Sequence, residues 1–390
     1  MGNGASGRRF FCFSIPANEA SLLLMKDKKP WDQYHEYEGL DKILTAQTLR
    51  SAEAGDPVHD EMLFIVFHQI YELWFKQILF ELDDIQKRFS SDVVDDHDMQ
   101  PILCYLNRIV EIFRTLIHMI DVLETMPPQS FVDFRQYLGT GSGFQSWQFR
   151  ILEMRLGLRR NDRIPVFHGE FDKDLRSESK KAIKAAEENP SLYDQIDKWL
   201  SRTPFVNRED YKFWEEYRGA VYKVFDEKEA LSRKALSGEA LEKELAGIES
   251  GRQKFDSIFE EDKHAEAQEK GTWRMSLKAL QAALFITIYS HEPILQGPSQ
   301  LLRNLVEIDE LIARWRYRHA LLVQRMVGMG AGTGGSSGYG YLMETLAKHR
   351  IYTDLFALSS YLIPTKSLPA LPEQISRQMS YNYRSKDKAA

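Results

Sequence analysis

Apolar residues recur along most of this chain at gaps of three and four, the spacing that lays a single stripe down one helix face. The longest run is Leu301, Leu305, Ile308, Ile312, Trp315, His319, Leu322 and Met326. A second is Phe64, His68, Tyr71, Phe75, Ile78 and Leu82, with Leu63, Phe67, Ile70 and Trp74 beside it. That double width predicts a helix over 60–89, buried on most sides. Ile102, Leu106, Ile109, Phe113, Leu116, Ile120 and Leu123 predict another over 101–125, stopped by Pro127-Pro128. Further helices are expected from Tyr34 to about Ser51, onward from Trp147 through Ile151 and Met154, over 273–290 and over 341–363. No stretch alternates with period two between turn signals, so the fold class is all-α, a helical bundle.

From about 170 to 272 the charge rises, as at Lys180-Lys181, Glu187-Glu188 and Glu260-Glu261-Asp262-Lys263. Apolar positions keep their helical spacing there (Leu192, Ile196, Trp199; Tyr211, Trp214, Tyr217, Val221). This reads as a small solvated helical subdomain, at about 190–265, inserted in a bundle spanning 34–375. Residues 1–33 read as a mobile arm, and 376–390 as a polar tail beyond Pro364, Pro369 and Pro372. Met1-Gly2-Asn3-Gly4-Ala5-Ser6 fits the N-myristoylation pattern. A Gly/Ser-rich tip is the plainer reading, and one acyl chain would hold a membrane only marginally.

Two of the stripes carry one histidine each, His319 and His68. A buried imidazole must find partners for its ring nitrogens, since an unpaired polar group in a core costs roughly 1–3 kcal/mol. Each histidine is therefore either a core residue satisfied by backbone or a functional one; for His319 the functional reading is an axial ligand to haem iron. Downstream, Gly332-Thr333-Gly334-Gly335-Ser336-Ser337-Gly338 ends the helix and offers close backbone approach together with hydroxyls for an anionic or zwitterionic group. It lacks the lysine and preceding strand of a nucleotide loop. A second glycine-rich stretch, Gly139-Thr140-Gly141-Ser142-Gly143, precedes Trp147 and follows Arg135, whose guanidinium suits a two-pronged pair with a carboxylate. An ordinary capped helix start with a surface arginine fits the same spacing.

The chain has 390 residues, 43% of them hydrophobic and 12% aromatic, ample for a sizeable core. Its net charge of −6 is spread along the chain and leaves no nucleic-acid footprint. Two cysteines, Cys12 and Cys104, cannot build a disulfide framework or a Cys-rich metal site, which fits a reducing cytoplasm. No apolar run approaches a membrane span, so no stable membrane association is expected.

Trp315-Arg316-Tyr317-Arg318-His319, Val323-Gln324-Arg325-Met326, Gly332 to Tyr339 and Phe67-His68-Gln69-Ile70-Tyr71-Glu72-Leu73-Trp74-Phe75-Lys76-Gln77 closely resemble the tryptophan 2,3-dioxygenase family. The resemblance covers roughly residues 34 to 375 in four ordered blocks. It implies a haem-binding bundle, with haem b iron held by His319 and Trp315 and Ser142 beside the cofactor. It implies that His68 hydrogen-bonds the indole N–H, that Phe64 lines the indole slot, and that Arg135 and Thr333 hold the amino-acid end. It also implies a homotetramer in which the segment with Tyr34 and Tyr37 reaches a neighbouring subunit's site. The activity implied is the conversion of L-tryptophan and O₂ to N-formylkynurenine, the first step of the kynurenine pathway. Gly39, Phe67 and Gly139-Thr140-Gly141 depart from the family's usual residues. A segment at Trp199-Leu200-Ser201-Arg202-Thr203-Pro204 resembles one that binds a second tryptophan in some members, but its partners near Val94 and Asp96 differ, and no such site is expected.

Three rival readings stand beside this one. They are an indoleamine 2,3-dioxygenase-like enzyme of the same fold, a haem-binding sensor without catalysis, and a helical interaction protein that binds no haem.

Overall fold

The computed structural model describes residues 30–91, 93–139, 146–164, 175–204, 211–328 and 338–380. Most of the expected arm and tail, the myristoylation pattern, Ser142 and Thr333 lie outside the described residues. Helices and turns account for the regular structure, and no strand occurs among the described residues, as the sequence pattern predicts.

The chain divides into two compact units after Pro57. In the first, the helix expected from Tyr34 to Ser51 is instead three short ones: α1 (Pro30–Glu38), α2 (Leu40–Ile43) and α3 (Arg50–Glu53). Gly39 separates α1 from α2 at φ +62°, a left-handed conformation that breaks the helical path. Tyr34 and Tyr37 project from α1 with 63% and 87% of their surface exposed.

The second unit is built on three long helices. They are α4 (Glu61–Phe89), α5 (Asp96–Leu123) and α14 (Gln296–Val327). All seven apolar residues of the predicted α5 stripe are buried. Asp95 caps this helix by accepting from the His97 amide at 2.8 Å. The α14 stripe from Leu301 to Met326 is buried except at Trp315 and His319, which are half-buried. Gly328, at φ +64°, ends α14 just past its last turn. The most extensive helix contact joins α14 to α5, and α5 also packs along α4. As expected, α4 is buried or half-buried on most sides, and its one exposed face carries Met62, Leu73 and Phe80.

Shorter helices complete the frame around these three: α6 (Pro128–Arg135), α7 (Trp147–Leu156) and α8 (Ser177–Glu188). The charged region supplies α9 (Leu192–Leu200), α10 (Phe213–Ala235), α11 (Gly238–Asp256) and α12 (Glu261–Glu269). Its inward residues Leu192, Ile196, Phe213, Tyr217 and Val221 join the same core as α4, α5 and α14, so no separate core forms there. Then come α13 (Leu277–Ile288) and α15 (Gly338–Lys348), followed by α16 (Thr353–Ala357) and α17 (Glu373–Gln378). The single helix expected over 341–363 is split into α15 and α16 at His349–Tyr352. Buried Asp309 reaches across from α14 and accepts from the amides of Ile351 and Tyr352 at 3.2 and 3.3 Å, which holds the break open.

Candidate functional site

α4 and α14 each contribute one histidine. On α4, the His68 ring lies 4.2 Å from that of Phe64, one turn earlier, and 5.4 Å from Phe67. Its Nδ1 stands 2.7 Å from the Phe64 carbonyl oxygen. A carbonyl only accepts, so Nδ1 carries the proton and donates. Neutral His68 therefore presents Nε2 as a bare acceptor. Burial lowers its pKa below the ordinary imidazole value, against smaller opposing effects of the Phe64 carbonyl and Glu72. The side chain is nonetheless open to solvent, which corrects the expectation that it sits wholly inside. Crowded by protein yet reachable by water, it suits contact with a ligand.

Phe64 anchors an aromatic wall, with Phe134 at 5.3 Å and Phe131 at 5.9 Å, both on α6. Phe134 is fully buried and fixes that helix against the core. Arg135, the next residue and the last of α6, is half-buried and has no carboxylate partner among the described residues. Arg318 on α14, by contrast, is paired with Asp121 at 2.6 Å and Glu124 at 3.1 Å. A guanidinium held at the edge of an aromatic wall without a protein anion is suited to take one from a ligand.

On α14, Trp315 stacks on His319 one turn later, with ring centroids 5.4 Å apart and planes inclined by 26°. Phe149 on α7 backs the indole at 4.9 Å. Tyr71 on α4 packs its ring 6.3 Å from it, and the Tyr71 hydroxyl donates to the Leu116 carbonyl of α5. Tyr71 thus bridges the two histidine-bearing helices and α5. Sequence reading had placed it only in a core stripe, and nothing in the local pattern marks a bridging hydroxyl.

His319 Nδ1 is buried and has no hydrogen-bond partner among the described residues. Burial, with a smaller contribution from the charge of a protonated His68, pushes its pKa down to about 4. Two imidazoles on different helices therefore sense one another, and both are neutral at physiological pH. A neutral imidazole with an unsatisfied buried nitrogen is poor core chemistry and good ligand chemistry. The donor fits haem iron, which many haem proteins hold through a neutral imidazole.

The pKa shift carries a prediction for the haem-free protein. An imidazole titrates near 6.5 when unfolded and His319 near 4 when folded, so between these values the unfolded chain binds more protons. Stability is fully present above pH 6.5 and falls as pH drops to 4, by up to about 3 kcal/mol for this residue. Urea titrations at pH 7, 5.5 and 4.5 should show the midpoint moving down in that order. A midpoint constant across the window would contradict burial of a neutral His319.

Behind α14 lies a charged cluster that sequence reading also missed. Glu153 of α7 is fully buried and accepts from Arg316, from Arg163 at 2.6 Å and from Arg150 at 3.3 Å. Those guanidiniums outweigh the cost of burial and hold its carboxyl well below the usual range. The sequence did contain a signal: Arg150 and Glu153 interrupt the apolar run Phe149, Ile151, Leu152, Met154, Leu156. A shallow surface cleft lined by Asp197, Lys198, Glu261 and His264 is separate from both histidines.

A family model described as tryptophan 2,3-dioxygenase matches residues 25–362. The chain is 44% identical to the tryptophan 2,3-dioxygenase of Bdellovibrio bacteriovorus over 358 residues, covering 91% of this chain and all of that one. It is 43% identical to the Anopheles gambiae protein of that name, covering 89% of each. The Xenopus laevis protein of the same name is 40% identical, over 88% of this chain and 85% of its own.

Proposed function

The chain belongs to the tryptophan 2,3-dioxygenase family, and from that premise we propose that it converts L-tryptophan and O₂ to N-formylkynurenine using one haem b per subunit. Both oxygen atoms enter the product, at indole C2 and C3, and the bond between those carbons breaks. No external reductant is consumed. The observation that carries the reading is the pair of neutral histidines presented by α4 and α14, one with an unpartnered buried nitrogen.

His319 would hold the iron, with Trp315 stacked on its ring and Ser142 near a propionate. Haem iron, when bound, supplies the electronic chemistry that lets O₂ react with a closed-shell indole. The chain's own part is binding and orientation. With Nδ1–H committed to the Phe64 carbonyl, His68 Nε2 is left to accept the indole N–H. Phe64, braced by Phe131 and Phe134, lines the indole slot. Arg135 pairs with the carboxylate, and Thr333 contacts the ammonium and carboxylate.

Replacing His68 by Ala should leave haem content unchanged and lower kcat/KM by about 2- to 10-fold, the range for one neutral hydrogen bond. Loss of haem in that variant would instead make His68 the iron ligand.

The family reading adds a cytoplasmic homotetramer in which Tyr34 and Tyr37 complete a neighbouring subunit's site. Their exposure, and the exposed apolar face at Met62, Leu73 and Phe80, support association of copies. No helix among the described residues is long and apolar enough to cross a membrane. Deleting residues 1–33 should be tolerated, whereas deleting 1–42 should cripple turnover. A fully active monomer on size-exclusion chromatography would contradict the exchanged segment.

An absorbance spectrum of haem-loaded protein, taken before and after L-tryptophan is added under O₂, tests the whole reading. A Soret band with growth of N-formylkynurenine absorbance is expected. Haem without product would indicate a sensor, and no haem an interaction protein. Equal turnover of D- and L-tryptophan would indicate an indoleamine-type enzyme.

A further inference from the structure

Arg316 sits on α14 one turn before His319 and is almost fully buried. Its guanidinium reaches two other helices at once. One nitrogen donates to Glu153 of α7. The other donates to the His349 carbonyl at 2.7 Å and the Thr345 carbonyl at 3.4 Å, both at the C-terminal end of α15. The C-terminal end of a helix carries partial negative charge, so a buried cation there both caps and anchors α15, although the Thr345 carbonyl also accepts from the His349 amide at 2.9 Å. The opposite end of α15 is pinned differently. A Cβ built on Gly338, its first residue, would stand 3.2 Å from Val323 Cγ1. α15 therefore runs back along α14 from Val323 to Arg316, and His319 lies between the two anchor points.

Resting on the haem reading above, we propose that Arg316 is a positioning residue: by tying α7 and the C-terminal end of α15 to α14, it fixes the rotation of α14 and hence the direction of the His319 imidazole. Geometry shows why rotation matters. Successive residues turn about 100° around a helix, and an imidazole nitrogen stands roughly 6 Å from the axis. A slip of about 20° would carry that nitrogen about 2 Å, comparable to a whole metal–nitrogen bond. Apolar contacts, being non-directional, leave such slips comparatively cheap. Directional hydrogen bonds to a planar guanidinium do not, and registry is the best-attested use of a buried ion pair.

The network also makes the idea testable without stripping the buried carboxylate bare. In Arg316→Met, Glu153 keeps Arg163 at 2.6 Å and Arg150 at 3.3 Å. Arg316→Lys keeps the charge but offers a single point instead of a fork. The expected result for Arg316→Met is haem transfer to a haem-free globin at least about 10-fold faster than from the wild type, with a shifted or broadened iron–imidazole stretch in the resonance Raman spectrum. In the haem-free protein, amides of residues 342–348 should exchange at least about 10-fold faster. Arg316→Lys should fall between Arg316→Met and the wild type on each measure. Unchanged haem transfer and stretch, even with a lowered Tm, would leave Arg316 a merely structural residue and overturn the proposal. Failure of both variants to fold would do the same. If the wild type binds no haem, the functional reading fails instead, and amide exchange at 342–348 still decides whether Arg316 anchors α15.

Discussion

His319→Ala should leave the protein unable to retain haem. No other residue of the α14 stripe offers a ligand nitrogen, and the buried His319 Nδ1 makes no hydrogen bond among the described residues. Loss of an outer-shell partner of a metal-bound histidine costs roughly 10- to 100-fold in metal affinity. Loss of the ligand itself should exceed that. After gel filtration the variant should show no Soret band, while helix content stays close to wild type, because half-buried His319 contributes little to the core. Adding free imidazole to the cavity left by the substitution should restore part of the band. A native ferrous spectrum in the variant without imidazole would remove His319 from the proposal.

The second large effect is expected at Arg135. L-tryptophan is a zwitterion with an apolar ring, so a pocket that desolvates it must pair its charges. A guanidinium gives a carboxylate two parallel N–H donors, each charge-assisted bond contributing roughly 1.5–3 kcal/mol. Removing both should cost about 3–5 kcal/mol, or on the order of 10²- to 10³-fold in kcat/KM. Haem content should not change, since Arg135 lies on α6 and His319 on α14. Arg135→Lys should recover only part of the loss. Tryptamine, which lacks the carboxylate, should be a poor substrate for the wild type, and Arg135→Ala should narrow the gap between the two. If the variant keeps the wild-type preference for L-tryptophan, the carboxylate is held elsewhere, and Thr333 is the next candidate.

What the sequence determined by itself was the set of long helices and the face each turns inward. Stripes over α4, α5 and α14 were legible because burial is set by a repeat of three and four, which local sequence alone must satisfy. The two histidines stood out as the polar members of those stripes, and the four motif blocks identified the family that the relatives share. Breaks within helices were harder to read. Gly39 and the α15–α16 junction depend on a backbone conformation and on Asp309 arriving from α14, neither of which a stripe records. Tertiary structure alone decided which chemistry-bearing residues meet. The Tyr71–Trp315 ring contact joins residues 244 positions apart (315 − 71), and the Arg316–Glu153 pair joins residues 163 apart. It also left His319 Nδ1 without a partner and Arg135 without a carboxylate, both among the described residues. The physical reason is range. Hydrophobic burial repeats along a helix, so it is encoded in neighbouring residues. A hydrogen bond or ion pair depends on distance and angle, and these are set only when helices far apart in the chain come to rest against one another.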